Sequence, residues 1–140
     1  MKERYEITPQ ELRQEFFQVY GEGRAPRIFA SPARINIIGE HIDYNGGKVF
    51  PAAIDRYLYC AIRLRSDTKI LYQDLFFDGS YTFDIKDDFK FDPANDYANF
   101  LNGILSCMKK RGCTLPCGFE VLIASNVPSA GGISSSSALE

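Results

Sequence analysis

The chain has 140 residues, of which 45% are hydrophobic, 24% charged and 14% aromatic. This apolar fraction argues against a disordered chain and suffices for one domain with a buried core. The sequence contains no apolar run of about 18 residues, which argues against a membrane-spanning helix. Sixteen basic and eighteen acidic residues give a net charge of −2. This charge does not favour binding to a nucleic acid or to an anionic membrane surface.

The four cysteines do not form a zinc-binding pattern. They stand at positions 60, 107, 113 and 117 without a C-x-x-C pair, and the chain has one histidine, His41. The charged residues at the N-terminus are not typical of a secretory signal, and no N-x-[ST] glycosylation acceptor is present. We therefore expect reduced thiols in a cytoplasmic protein.

The first half of the chain predicts one helix followed by short strands. Thr8, Pro9 and Glu11 form the pattern of a capping box with proline at the first helical position, and Gly21 can end this helix. Residues 27–38 predict two short strands, because Ser31 and Pro32 suggest a turn between them. Strands are also expected over 49–54 and 57–64, after an Asp-Tyr-Asn-Gly-Gly turn at 43–47.

The second half mixes further strands with a second helix. We expect strands over 69–72, 81–85 and 119–124, and a helix that begins at Asn95 or Asp96 and ends at Gly112. Residues 86–93 are acidic and predict a loop. Helices and strands do not alternate regularly, so the fold class predicted from the pattern is α+β.

The segment 127–137, VPSAGGISSSS, has the composition of an anion-binding loop. A predicted strand enters it and a helix is expected to follow it. Small residues allow the backbone to approach an anion, and the free N–H groups at a helix N-terminus favour phosphate. Serine hydroxyls can add hydrogen bonds or bind Mg²⁺. From composition alone, a flexible linker is an equally good interpretation.

A second polar cluster follows the apolar residues of 35–38. Glu40, His41 and Asp43 lie together on a predicted turn, where carboxylates can accept hydrogen bonds from the vicinal hydroxyls of a sugar. Arg34 could hold phosphate oxygens in a fork of two hydrogen bonds. In an arbitrary sequence, solvated loop charges and a salt-bridging arginine would be the better interpretation.

Both segments resemble the motifs of one kinase family. RINIIGEHIDYNGG at 34–47, followed by KVFPAAI, closely resembles the galactokinase signature R-x-N-[IL]-I-G-E-H-x-D-Y-N-G-G. The Gly/Ser segment resembles the P-x-G-x-G-L-S-S-S-A motif of the superfamily that unites galactokinase, homoserine kinase and mevalonate kinase. The stretch YANF at 97–100 is similar to a galactokinase helix between the two motifs.

This resemblance implies ATP-dependent phosphorylation of galactose at its anomeric hydroxyl, with Mg²⁺. It implies that Arg34 stabilises the transferring phosphoryl group and that Glu40, His41, Ile42 and Asp43 bind the sugar. The implied ATP-binding residues are Ala130, Gly131, Gly132, Ile133, Ser134, Ser135 and Ser136, with Ser136 as magnesium ligand. The implied fold is an α+β domain with a mixed sheet, packed helices and a left-handed β-α-β unit around the phosphate loop.

The sequence departs from the family pattern in small ways. Ala33 and Ala130 stand where glycines are usual, and positive φ at Ala130 would cost energy. The family's catalytic aspartate and magnesium-binding glutamate belong to motifs that do not occur in these 140 residues. We therefore expect an N-terminal part of the galactokinase N-terminal domain, with the sugar motif at 34–47, the phosphate loop at 128–137, no C-terminal domain, and little activity alone.

Two other functions fit the same motifs. A non-catalytic sensor of the same fold would bind galactose and ATP without turnover. A sister sugar kinase would act on N-acetylgalactosamine or arabinose.

Overall fold

The structure is a computed structural model that describes residues 7–39, 41–76, 79–94, 96–127 and 138–139. Its helices are α1 (Pro9–Tyr20) and α2 (Asp96–Lys110), with a short 3₁₀ helix at Asp43–Asn45. Its strands are β1 (Arg27–Ile38), β2 (Phe50–Leu64), β3 (Lys69–Asp74), β4 (Ser80–Asp84) and β5 (Phe119–Ser125).

The described strands form one mixed sheet in the order β1-β2-β5-β3-β4. Neighbouring strands are antiparallel except β3 and β5, which are parallel. The chain passes through β4 and α2 between these two parallel strands. The predicted α+β class with a mixed sheet is confirmed.

Helix α1 begins where the capping pattern predicts. The Glu11 amide donates to Thr8 Oγ1 over 3.3 Å, and the Thr8 amide donates back to Glu11 Oε2 over 2.9 Å. These two bonds satisfy amide groups that have no partner inside the helix. One turn apart, Leu12 and Phe16 are fully buried and fix the face of the helix that meets the sheet.

The predicted breaks in the first two strands are wrong. β1 runs without interruption through Ser31 and Pro32, and β2 runs from Phe50 to Leu64. The irregularities in β1 are shifts of register between Pro32 and Arg34 and between Asn36 and Ile38. Proline is tolerated because β1 is an edge strand, where a missing N–H need not break the ladder. Long-range pairing therefore overrides the local turn signal.

Strand β5 is buried on both faces and organises the core. Leu122 and Ala124 pack with Phe16 of α1 on one face of the sheet. Val121 and Ile123 point to the opposite face, where Leu101 of α2, Ala138 and Leu139 pack. Because side chains alternate along a strand, one apolar strand can bind a helix on each face.

An ion pair ties the end of α1 to this sheet. Arg63 on β2 donates from Nε to Glu120 Oε2 on β5 over 2.6 Å, and both residues are buried. The same guanidinium donates to the carbonyl oxygens of Tyr20 and Gly21, at 3.0 and 3.1 Å, and lies over the Phe16 ring. One cation therefore satisfies a buried carboxylate and the last carbonyls of the helix.

None of the four cysteines forms a disulfide. Burial raises the pKa of the Cys60 thiol on β2 to about 12, whereas Cys107 and Cys113 are exposed. Within the described residues, no group of three or more His, Cys, Asp and Glu side chains could hold a metal ion. No described helix is long and apolar enough to cross a bilayer.

We predict that Arg63→Ala lowers the free energy of unfolding by about 3 kcal/mol. The substitution removes one partner of a buried ion pair, and the Tyr20 and Gly21 carbonyls lose the guanidinium that donates to them. The loss should fall at the lower end of the usual range, since Glu120 also accepts from Arg65 over 2.7 Å. Urea unfolding followed by circular dichroism measures it. The control is Arg56→Ala, which breaks an exposed pair with Asp55 and should cost under about 1 kcal/mol. Equal losses in both variants would contradict this role of Arg63.

Candidate functional site

The polar motif of 34–47 lies at one end of the sheet on a two-stranded ribbon. β5 pairs with β2 only over Leu58–Leu64, while the preceding part of β2 pairs with β1 alone among the described strands. We call residues 32–38 of β1 and 50–57 of β2 the ribbon. It projects beyond the body of the sheet and carries the turn at its tip.

Arg34 lies on this ribbon. It stands opposite Ala53, is exposed, and shares a strand face with Asn36 two residues further on. The preceding residue, Ala33, is 1% exposed at the register shift. A small side chain is therefore required there, and alanine meets that requirement.

The turn at the ribbon tip is held by backbone hydrogen bonds. The amides of Asn45 and Gly47 both donate to the Ile42 carbonyl, over 3.1 and 2.7 Å. The Gly46 amide donates to the backbone carbonyl of Asp43 over 3.1 Å. Gly46 has a φ of 77°, the left-handed conformation that favours glycine. The predicted turn is confirmed, and its first residues form the 3₁₀ helix.

This turn presents polar side chains to solvent. His41 and Asp43 are both exposed, and the His41 ring lies 6.2 Å from the ring of Tyr44. His41 itself has a φ of 59°, uncommon for a residue other than glycine, and its carbonyl accepts from Asn45 Nδ2 over 3.2 Å. A carboxylate and an imidazole on one rigid turn can hydrogen-bond neighbouring hydroxyls of a small polar ligand. Glu40 lies outside the described residues.

Ile42 packs within the turn itself. A Cβ added to Gly47 would lie 2.9 Å from the Ile42 Cβ, and one added to Gly39 would lie 3.1 Å from its Cδ1. Gly39 has a φ of 99° and approaches the Lys48 carbonyl closely. Both glycines therefore leave room for Ile42, whose contacts stabilise the turn.

The entry to the Gly/Ser segment is fixed to the base of the ribbon. Asn126, directly after β5, accepts from the Tyr57 amide at Oδ1 over 2.6 Å and donates its own amide to the Tyr57 carbonyl over 3.0 Å. Val127 is buried, and its amide donates to Ser125 Oγ over 3.0 Å. The predicted phosphate-loop residues, Ala130 to Ser136, lie outside the described residues.

Tyr57 thus joins the two sequence motifs. Its strand partner on one side is Pro32, two residues before Arg34. On the other side it is hydrogen-bonded to Asn126, the residue directly before the Gly/Ser segment. Sequence reasoning missed both Tyr57 and Asn126. An asparagine directly after a strand only weakly indicates that its side chain hydrogen-bonds the backbone there. Nothing in the sequence indicates that its partner is Tyr57, 69 residues earlier.

Comparison with known proteins matches this arrangement. The family described as the galactokinase galactose-binding signature matches residues 14–64, from α1 to the end of β2. Bacillus subtilis galactokinase is 37% identical over 132 residues, covering 94% of this chain and 34% of that protein. The crystal structure of Lactococcus lactis galactokinase complexed with galactose superposes with a TM-score of 0.86 at 38% identity, covering 94% of this chain and 34% of that one.

In sequence and in fold, this chain is similar to part of these galactokinases. Lactococcus lactis galactokinase is also a sequence relative, 41% identical over 131 residues. The chain spans about a third of the length of these curated relatives. The crystal structure of Methanococcus jannaschii mevalonate kinase superposes with a TM-score of 0.68 at 21% identity, which shows that the two share a fold.

We predict that Gly39→Ala loosens the turn at the ribbon tip, because the new Cβ would lie 2.6 Å from the Lys48 carbonyl at a strained φ. Exchange of the Gly47 amide, which donates to Ile42, should accelerate by about tenfold or more. Hydrogen exchange followed by NMR measures this. Gly21→Ala is the matched control, because it has a φ of 77° but no atom within 4 Å of the new Cβ. The prediction fails if both variants leave the Gly47 amide equally protected.

Proposed function

We propose that this chain is part of an enzyme that uses ATP to phosphorylate galactose at the anomeric hydroxyl. The observation that carries the proposal is the junction at Tyr57. The strand that leads to the candidate sugar turn has Pro32 as the register partner of Tyr57, and the end of the strand that leads to the candidate phosphate loop is hydrogen-bonded to Tyr57. The base of the ribbon, two residues from Arg34, and the start of the loop would therefore be neighbours, and phosphoryl transfer requires that the sugar and the nucleotide be held together.

The sugar would bind at the tip of the ribbon. Asp43 would accept hydrogen bonds from sugar hydroxyls, His41 would donate or accept one, and the contacts of Ile42 would hold the turn. The proposal adds Glu40 as a second carboxylate. The Lactococcus relative of similar fold was crystallised with galactose. This supports galactose over N-acetylgalactosamine, arabinose or another sugar.

Arg34 would act on the phosphoryl group. It stands on the ribbon between the junction and the turn, where its fixed charge can stabilise negative charge on the phosphoryl oxygens. We propose that Ala130 to Ser136 hold the ATP phosphates and that Ser136 binds Mg²⁺. When bound, Mg²⁺ would neutralise phosphate charge.

We further propose that these residues are the N-terminal part of a galactokinase N-terminal domain in a cytoplasmic enzyme. On this proposal the catalytic aspartate comes from the remaining two-thirds of the polypeptide, and the chain alone has little activity. The partners are galactose and ATP, with neither nucleic acid nor membrane.

The test uses a chimeric galactokinase in which these 140 residues replace the matched third of the Lactococcus lactis enzyme. We expect galactose-dependent release of ADP, and we expect Asp43→Asn to lower kcat/KM for galactose by about tenfold to a hundredfold, because an amide accepts hydroxyl hydrogen bonds less well than a carboxylate. Asp88→Asn, in the exposed loop before α2, is the matched control and should leave kcat/KM unchanged.

Equal kcat/KM values in the two variants would contradict the role of the turn. Binding of galactose and ATP without ADP release would favour the sensor. Higher kcat/KM for N-acetylgalactosamine or arabinose would favour a sister sugar kinase.

A further inference from the structure

Asn126 ends the ladder between β2 and β5, whose last paired residues are Leu58 and Ser125. In the same register, the next rung would join Tyr57 and Asn126. One half of this rung is made by the backbone, because the Asn126 amide donates to the Tyr57 carbonyl over 3.0 Å. In the other half, the Tyr57 amide donates over 2.6 Å to Oδ1 of the Asn126 side chain. Residues paired in this way normally exchange both bonds through their backbones, so the side chain takes the place of the Asn126 carbonyl.

This exchange of a backbone acceptor for a side-chain acceptor lets the chain leave the sheet without an unpaired amide. The Tyr57 amide is partly buried and keeps an acceptor, so the cost of a buried N–H group without a partner is avoided. The Asn126 carbonyl no longer has to point along the ladder, and β5 ends at Ser125. Asparagine side chains commonly compete with the backbone for its hydrogen bonds in this manner. A single side chain therefore fixes the residue at which the chain departs from β5.

The residues on either side of Asn126 hold the direction of this departure. Ser125 Oγ donates to the Tyr57 carbonyl over 3.4 Å and accepts from the Val127 amide over 3.0 Å. The second bond closes a turn around the serine hydroxyl. Val127 is 6% exposed, so its side chain is buried just where the Gly/Ser segment begins. Three consecutive residues therefore fix the start of that segment.

We propose that Asn126 is a positioning residue for ATP. It sets the point at which the Gly/Ser segment starts and the direction in which the chain leaves the sheet. The inference rests on the proposed function, which assigns the ATP phosphates to residues 130–136. The contact of Asn126 is with Tyr57, so it acts through the backbone rather than on the reacting atoms. Displacement of a binding group by about 1 Å can lower a reaction rate by about a hundredfold, which makes the start of such a segment critical.

The stability of β5 has a different source. Leu122 and Ala124 pack on one face of the sheet, and Val121 and Ile123 pack on the other. Asn126 is half-buried, follows the last residue of the strand, and belongs to none of the hydrophobic clusters formed by the described residues. Loss of its side-chain oxygen should therefore change the exit from the sheet much more than the stability of the sheet. This difference separates a positioning role from a purely structural one.

The experiment measures ligand binding rather than turnover, in the chimera with the Lactococcus remainder. Asn126→Ala removes the acceptor of the Tyr57 amide but keeps the backbone bond that residue 126 donates. The Tyr57 amide then lacks an acceptor or takes the carbonyl of residue 126, which would lengthen β5 by one residue; either change moves the exit. We expect the Kd for ATP, measured by calorimetry without galactose, to rise by about tenfold or more. The Kd for galactose should change by less than about twofold, because the candidate sugar turn lies at the far end of the ribbon.

Two further variants separate position from stability. Tyr20→Phe is the matched control, because it removes another hydrogen bond to β5, from the Tyr20 hydroxyl to the Val121 carbonyl over 2.7 Å. Tyr20→Phe and Asn126→Ala should each lower Tm by less than about 5 °C, and Tyr20→Phe should leave the Kd for ATP unchanged. Asn126→Asp is the conservative variant, because a carboxylate keeps an acceptor for the Tyr57 amide. At about 0.5 M KCl, which screens the added charge, its Kd for ATP should stay within about threefold of the unsubstituted value.

An unchanged Kd for ATP in Asn126→Ala would overturn the inference. A loss of ATP affinity of the same size in Tyr20→Phe or in Asn126→Asp would also overturn it, because the effect would then not depend on the acceptor at position 126. A chimera whose ATP affinity depends on Asn126 but which does not phosphorylate galactose would remove the proposed function and leave the positioning role in place. A chimera that does not bind ATP would overturn both.

Discussion

Tyr57 is the point at which β2 loses one of its two neighbouring strands, and the candidate site depends on this change. On one side of it, β2 is a central strand between β1 and β5; on the other, it pairs with β1 alone among the strands that the structure describes. Two hydrogen bonds between Tyr57 and Asn126, one to the Asn126 side chain and one between backbone groups, hold the exit of β5 at this point. The body of the sheet therefore fixes the base of the sugar motif and the start of the Gly/Ser segment together.

The body of the sheet is rigid enough for this purpose because β5 is covered on both faces. Arg63 and Glu120 add a directional element to that packing, since one guanidinium binds the carboxylate on β5 and the end of α1. The ribbon has no such cover in the described residues, yet it carries Arg34 and the turn. The well-packed part of β1 and β2 and the part that carries the candidate site residues therefore lie at different ends of these two strands.

The sequence predicted the local elements well where local chemistry determines them. The capping residues at Thr8 and Glu11 located the start of α1, and Asn-Gly-Gly located the turn. The uninterrupted strands through Pro32 and Asp55 could not be predicted, because pairing with a distant strand outweighs a local turn preference. The Tyr57–Asn126 junction was also beyond prediction, since its partners are 69 residues apart. Family resemblance, not periodicity, supplied the proposed roles of Arg34 and Asp43.

The central claim is that the turn and the Gly/Ser segment form one site. A crystal structure of the chimeric galactokinase with galactose and a non-hydrolysable ATP analogue tests it most directly. The account predicts that sugar hydroxyls lie within hydrogen-bond distance of Asp43, that the triphosphate lies on residues 130–136, and that Arg34 lies between the anomeric oxygen and the γ-phosphate. Galactose bound away from Asp43, or a triphosphate bound away from that segment, would contradict it.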